Sequence, residues 1–292
     1  MQTVNEYLKE TYGTKVYKIA IDGGFTCPNR DGTLGRSGCI FCSGAGSGEF
    51  TEDRSLSVTE QIRRGKERVR RKMPDQDGKY IAYFQAFTNT YAPVERLRAL
   101  FTEAIRCPEI VILSVATRPD CLGEEVVALL GELNRIKPVW VELGLQTVHQ
   151  KTAEYIRRGY PLAVYDAAVK RLRDAGIYVI THVILGLPGE SREEMLETVR
   201  YVGASGVQGI KLQLLHVIKG TDLEEAYQAG SFETLSMEEY VDLVAECIRV
   251  LPEDICIHRM TGDGDKRTLI APLWSADKKR VLNALRKKLK AQ

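Results

Sequence analysis

The sequence lacks the features that would place it outside the ordinary globular proteins. No apolar run reaches the ~18 to 20 residues that a membrane helix needs. The start, MQTVNEYLKE, has no basic region followed by an apolar one, so no secretory signal is expected and a cytoplasmic location is. There is no internal repeat and no low-complexity tract. There is little net charge either: 41 Lys and Arg against 39 Asp and Glu leave +2, which excludes a uniformly basic or acidic binding protein. A disulfide framework is also missing. The seven cysteines are an odd number, three of them lie between 27 and 42, and Cys107, Cys121, Cys247 and Cys256 are scattered. In a chain of 292 residues such clustering favours metal or catalytic chemistry. What is present, 44% hydrophobic and 27% charged residues, is enough for a large buried core. Length alone suggests two domains, but α/β barrels run to about 250 residues as one.

Short apolar runs of strand length alternate with longer amphipathic segments, the order that builds parallel βαβ units. Strands are predicted at 15–22, 79–87, 109–115, 138–145, 177–185 and 207–215. Helices are predicted near 57–72, 92–106, 123–135, 149–158, 162–175 and 191–204. Ser191 before Arg192-Glu193-Glu194 is a start signal, and Gly176 a stop signal. The strands read as continuous apolar runs, as expected when helices cover one face and a packed interior the other. The fold class is therefore α/β, a partial (β/α)6 TIM-like barrel over 1–230, with chemistry at the C-terminal ends of its strands. From 231 to 292 the rhythm changes to a helix near 236–250, a short strand near 254–258, a polar stretch Thr261 to Lys266 and a final helix, predicted to form a small α/β extension packed on the barrel. Positive charge is local: Asp277 to Gln292 carries seven Lys or Arg against one Asp, and Glu60 to Lys72 seven against two Glu.

Cys27, Cys39 and Cys42 form C-x11-C-x2-C in a Gly-rich loop, 23–50, directly after the first strand. A two-residue gap turns two sulfurs the same way, and a flexible loop brings in the third. A structural zinc site is closed by four ligands, and the nearest His is at 149. Three thiolates suit a four-iron cluster with one iron open. Free thiols and zinc are the alternatives that the residues leave standing. Gly44-Ala45-Gly46-Ser47-Gly48 follows a cysteine pair and not a strand, so it reads as chain flexibility and not as a nucleotide loop.

Phe41, in Cys-Ile-Phe-Cys, matches the aromatic position beside the last cluster ligand of radical S-adenosylmethionine (radical SAM) enzymes. Further motifs follow the strands in order: Thr117-Arg118-Pro119-Asp120, Glu142-Leu143-Gly144-Leu145-Gln146, Arg157-Arg158-Gly159, Leu185-Gly186-Leu187-Pro188-Gly189 and Lys219-Gly220-Thr221. With these the chain resembles the Elongator-catalytic-subunit type of radical SAM domain. The long cysteine gap and the segments His258-Arg259-Met260-Thr261-Gly262-Asp263 and Ala271-Pro272-Leu273-Trp274 resemble, within that type, the YhcC and MnmL group of bacterial proteins. The resemblance implies a [4Fe-4S] cluster on Cys27, Cys39 and Cys42. It also implies S-adenosyl-L-methionine (SAM) chelated to the open iron and cleaved to a 5′-deoxyadenosyl radical, and a one-electron reductant such as flavodoxin or ferredoxin. The implied work is conversion of the tRNA wobble base 5-carboxymethylaminomethyl(2-thio)uridine to its 5-aminomethyl form.

Carried over by motif, Gln146 and Arg158 contact SAM, Arg158 through the methionine carboxylate, with His182 near the ribose or adenine and Glu142 a further contact. Radical SAM domains often carry Gly-Gly-Glu after the second strand to hold the SAM amino group; this chain has Phe84-Gln85-Ala86-Phe87-Thr88-Asn89-Thr90, so Gln85 or Asn89 is the expected substitute. The plainer readings are a helix cap for Gln146, a solvated helix-end cation for Arg158 and a satisfied core histidine for His182. His149 and His258 read as structural, and His216 ends the sixth strand, where cofactor or substrate contact is plausible. Arg259 and Lys266 with Lys278, Lys279 and the rest of the terminal basic helix are expected to bind tRNA phosphates. Two other functions compete: a radical SAM enzyme with a small-molecule or protein substrate, and a zinc-containing nucleic-acid-binding protein.

Overall fold

Helices and strands alternate through most of the chain. The computed structural model describes residues 1–71, 78–262 and 264–290. A short strand β1 (Gln2–Thr3) and helix α1 (Val4–Tyr12) precede β2 (Val16–Ile21), α2 (Val58–Arg70), β3 (Lys79–Phe84), α3 (Val94–Arg106), β4 (Ile110–Thr117), α4 (Glu124–Asn134) and β5 (Val139–Gln146). Then come α5 (Gln150–Tyr155), α6 (Leu162–Asp174), β6 (Tyr178–Leu185), α7 (Arg192–Ala204), β7 (Gly209–Leu214), β8 (Val217–Ile218), α8 (Asp222–Gln228), α9 (Met237–Val250), β9 (Cys256–Arg259), β10 (Leu269–Ala271) and α10 (Lys278–Lys290).

The six predicted strands are β2 to β7, each within a few residues. All pair in parallel in chain order, because each returns through a helix. The helix starts are chemical: Ser57, Ser191 and Ser236 accept bonds from the N–H of the residue three further on, and at Ser191 and Ser236 a Glu closes the capping box. Gly176 ends the turn after α6 at φ 69°, a left-handed conformation that glycine adopts without strain. The sequence reading missed α1, α8 and the small antiparallel β8–β10 pair, all too short for a clear period.

The segment beyond 231, expected to form a small extension packed on the barrel, sends its short strand into the sheet itself. β9 pairs in parallel with β7, and β1 pairs with β9, giving an eight-stranded sheet in the order β1-β9-β7-β6-β5-β4-β3-β2. The sheet is a partial barrel. Its outer face packs on the helices through the main apolar core. Its interior is layered. Val16, Ile81, Ile112, Trp140 and Ile180, plugged by Leu8 of α1, form an apolar bottom. Two residues further along the strands the interior becomes charged. Above that lie Gln85, Ala116, Gly144 and Ile184, mostly small or neutral side chains that leave room.

Candidate active site

A cavity of about 340 Å³ opens at the C-terminal ends of the strands, where a barrel places its chemistry. Cys27, Cys39, Cys42 and Phe41 line it from the loop after β2. That loop has no regular structure, so other elements pin it. Ile40 donates its N–H to the Ile156 carbonyl (3.3 Å), and Leu223 donates to Ile40 (3.0 Å). Arg30 Nη2 donates to the carbonyls of Cys42 and Ser43 (2.8 and 2.7 Å), and Asn29 Nδ2 approaches Cys39 Sγ at 3.4 Å. Burial pushes the Cys39 thiol up to about 11 and raises Cys42, while Arg118 and Arg30 pull the other way. Sulfurs in such a place become thiolates when a metal adds positive charge.

Among the described residues no three Cys, His, Asp or Glu groups converge as ligands of a single ion would. A four-iron cube makes no such demand, since each thiolate takes a different iron. The donor set, three cysteines on one wall of one cavity, fits that cluster.

In the same cavity stands Arg158, 2% exposed, next in the chain to the Arg157 carbonyl that lies 3.5 Å from Cys39 Sγ. The sequence fits it there through Arg157 and Gly159, both left-handed at φ 57° and 84°. A Cβ at position 159 would lie 2.8 Å from Asn29 Oδ1. Nε of Arg158 donates to the Tyr160 carbonyl (3.0 Å), and Nη1 to the carbonyls of Leu145 and Thr147 (3.3 and 2.6 Å). Nη2 is buried with no partner, and the residue lines the cavity. A buried guanidinium donor without an acceptor is costly, and a ligand carboxylate at this wall would supply one. Tyr160 lies between two guanidiniums, with Arg118 and Arg158 5.0 and 4.9 Å from its ring centroid, and Arg118 is held by Asp120 (2.7 Å). Arg118 and Tyr160 were not singled out from the sequence, although the motifs containing or adjoining them were visible.

The other expected cofactor residues divide. Gln85 and Gln146 line the cavity, Gln146 in a left-handed conformation (φ 66°) at an irregularity where β5 leaves the sheet. It caps no helix: His149 precedes α5. Asn89 is fully buried, donates its side-chain N–H to the Ala116 carbonyl (2.8 Å) while Oδ1 has no partner, and is not among the cavity-lining residues. Glu142 and His182 line the cavity but meet each other. Glu142 accepts from His182 Nε2 (2.8 Å), Ser114 Oγ (2.8 Å), Lys18 Nζ (2.6 Å) and Lys211 Nζ. Burial alone would raise Glu142; Lys18, Lys211 and His182 instead hold it well below the usual carboxylate range. Burial and then Lys211 push His182 down to about 4, so it is neutral at physiological pH.

The expected phosphate-binding residues also separate. Arg259 lies on β9 beside Lys211 and lines the cavity, while Lys266, Lys278 and Lys279 are exposed on the turn before β10 and at the start of α10. Asp263, in the motif after Arg259, and Lys72, at the end of the other basic segment, lie outside the described residues, as do Ala291 and Gln292.

Comparison with known proteins agrees with this arrangement. Residues 27–202 match the family described as the radical SAM superfamily, and 207–291 the Radical_SAM C-terminal domain. YtqA of Bacillus subtilis is 49% identical over 98% of this chain and 88% of its own length, and YhcC of Escherichia coli 41% identical over 91% and 85%. A tRNA uridine(34) acetyltransferase of Methanocaldococcus jannaschii is 27% identical over 52% of this chain and 28% of its own length. The solved structure of Methanocaldococcus infernus Elp3 with an N-terminal deletion has the same fold, with a TM-score of 0.68 at 19% identity over 94% of this chain and 63% of that one. With its family match beginning at the first of the three cavity cysteines and running through strands β3 to β6 of a partial barrel, the chain belongs to the radical SAM superfamily, with an Elp3-like core of the YhcC group.

Proposed function

We propose that this enzyme modifies the tRNA wobble uridine, converting its 5-carboxymethylaminomethyl form, with or without 2-thiolation, to the 5-aminomethyl form. Cys27, Cys39 and Cys42 would hold a [4Fe-4S] cluster, and Arg158 Nη2 the carboxylate of SAM. Gln146 and Phe41 would flank the cofactor. Gln85, not Asn89, would accept from the SAM amino group, because Gln85 lines the cavity and Asn89 does not. With those groups bound and one electron given by a flavodoxin- or ferredoxin-type partner, the site would supply a carbon radical able to take a hydrogen atom from the substrate.

The chain's own part is to orient and to exclude water. Arg118 and Arg158 clamp Tyr160, which fixes the guanidinium that meets the cofactor. Glu142 and His182 are bound to each other and line the same cavity. The observation that carries the reading is the unpartnered Arg158 donor in the same cavity as the three thiols. The tRNA substrate is supported by the exposed basic face of α10 and by the partial likeness to a tRNA-modifying acetyltransferase.

The test is mass analysis of tRNA nucleosides after anaerobic incubation with SAM and reductant. The expected result is loss of 5-carboxymethylaminomethyluridine with gain of 5-aminomethyluridine, abolished in Cys39→Ala together with the visible cluster band. Formation of 5′-deoxyadenosine with unchanged nucleosides would move the substrate to a small molecule or a protein.

A further inference from the structure

Below the thiols the cavity ends on a charged floor. Lys211 is 2% exposed and lines the cavity, as do Glu142, Tyr83 and Arg259. Lys18 is not among the lining residues and reaches Glu142 at 2.6 Å from behind. Two ammonium groups therefore share one carboxylate, and the guanidinium of Arg259 stands on the neighbouring strand in register with Lys211. His182, the fourth donor to Glu142 alongside Ser114, adds no charge near neutral pH.

The Tyr83 ring lies 4.5 Å from Lys18 Nζ and 4.8 Å from Lys211 Nζ, which holds both ammoniums in place. Of the three donors of Lys211, one goes to Glu142 and one to the Tyr83 hydroxyl at 3.3 Å. Glu49 and Asp265 also line the cavity, but they come from the loops after β2 and β9 and are bound to Ser43 and Arg267. Among the described residues Glu142 is the carboxylate that Lys18 and Lys211 share, and buried ammonium groups short of counter-charge are expensive. An incoming anion removes that expense.

We propose that Lys211, together with Arg259, binds a carboxylate of the substrate on the cavity floor and thereby selects a carboxymethylamino substituent over the bare amine. The identity of the substrate rests on the tRNA reading above; the anion site rests on the floor alone. A phosphate of the RNA chain carries the same single charge as a carboxylate but is tied to a backbone, whereas a base substituent can reach an interior floor by itself. Burial, with Lys18 and Arg259 close by, lowers the Lys211 ammonium, and a bound carboxylate acts in the opposite sense. The anchor would fix the methylene next to the carboxylate and leave the base at the mouth.

The experiment compares binding of two nucleosides, 5-carboxymethylaminomethyluridine and 5-aminomethyluridine, to the cluster-loaded protein and its variants. Wild type is expected to prefer the carboxylated nucleoside by about tenfold or more, the strength of a charge-assisted bond. Lys211→Gln should abolish the preference, Arg259→Gln should reduce it, and Lys211→Arg should restore part of it, with SAM affinity and cluster absorbance unchanged as the control for folding. A wild-type protein without preference, or a preference that survives in both Gln variants, would overturn the floor site. Conversion of the wobble base by wild type is read separately in tRNA, so conversion with an intact preference in the variants refutes the floor alone. No conversion, with a preference that Lys211→Gln removes, refutes the tRNA reading and upholds the floor.

Discussion

Arg158 is tied to the backbone by Nε and Nη1 and leaves Nη2 buried without an acceptor. Its replacement by lysine keeps the charge but removes the planar fork. Arg158→Lys is expected to weaken SAM binding by about tenfold or more while the cluster band persists; unchanged affinity would return Arg158 to a purely structural role. His182 allows a pH test. Its usual value is 6.5 and burial brings it to about 4, so between these values the unfolded chain binds a proton that the folded chain does not. Stability therefore rises with pH from about 4 to 6.5 and is flat above. His258, half-buried against Trp140 and lowered by that desolvation, acts in the same sense. Glu142 contributes only below its usual 4.5. His182→Gln is expected to flatten the slope of Tm against pH in that window, by up to about 2 to 3 kcal/mol of stability at ~1.4 kcal/mol per pKa unit. A slope equal to wild type would mean that His182 titrates normally. Neither residue's situation follows from its neighbours in sequence, since Lys18 and Glu142 are 124 positions apart.

The two basic segments look alike in composition and differ as elements. On α2, Arg63 and Arg64 engage Glu60, Lys66 engages Glu109 and Arg68 engages Glu52, so much of its charge is answered locally. On α10, Val281 and Leu285 face the core and Lys288 pairs with Asp242 at 2.7 Å. Among the described residues, Lys279, Arg280, Arg286, Lys287 and Lys290 make no ion pair. A helix of this kind projects a field that attracts phosphates. Lys278→Glu with Lys279→Glu is expected to weaken tRNA binding and to reduce its salt slope by up to about two, with uncoupled SAM cleavage unchanged. Affinity and slope equal to wild type would make α10 a solvated face, and the matched reversal on α2 should have the smaller effect in any case.

The whole molecule depends on closing its sheet at β7. With β9 removed, β7 would present an open edge in the middle of what is now a continuous eight-stranded sheet, and such edges invite pairing with other chains. A fragment ending at residue 230 is therefore expected to aggregate or to melt far below the full chain, and a well-behaved monomeric fragment would show that the extension is an independent unit. The six βα units were legible in the sequence because helix and strand periods are local, and Ser191 and Gly176 mark their ends by local chemistry. The three cysteines were legible because their spacing and their loop are contiguous. Tertiary structure alone decided the rest. β9 is a four-residue strand whose place beside β7 depends on what the barrel leaves open. Arg259 reads as one more surface cation until that pairing turns it into the cavity, and Asn89 is an available amide until the fold buries it away from the cavity lining. The charged floor gathers Lys18, Tyr83, Ser114, Glu142, His182 and Lys211 from six different strands. Each occupies an unremarkable position in its own apolar run, and only the curl of the sheet brings their charges within bonding distance.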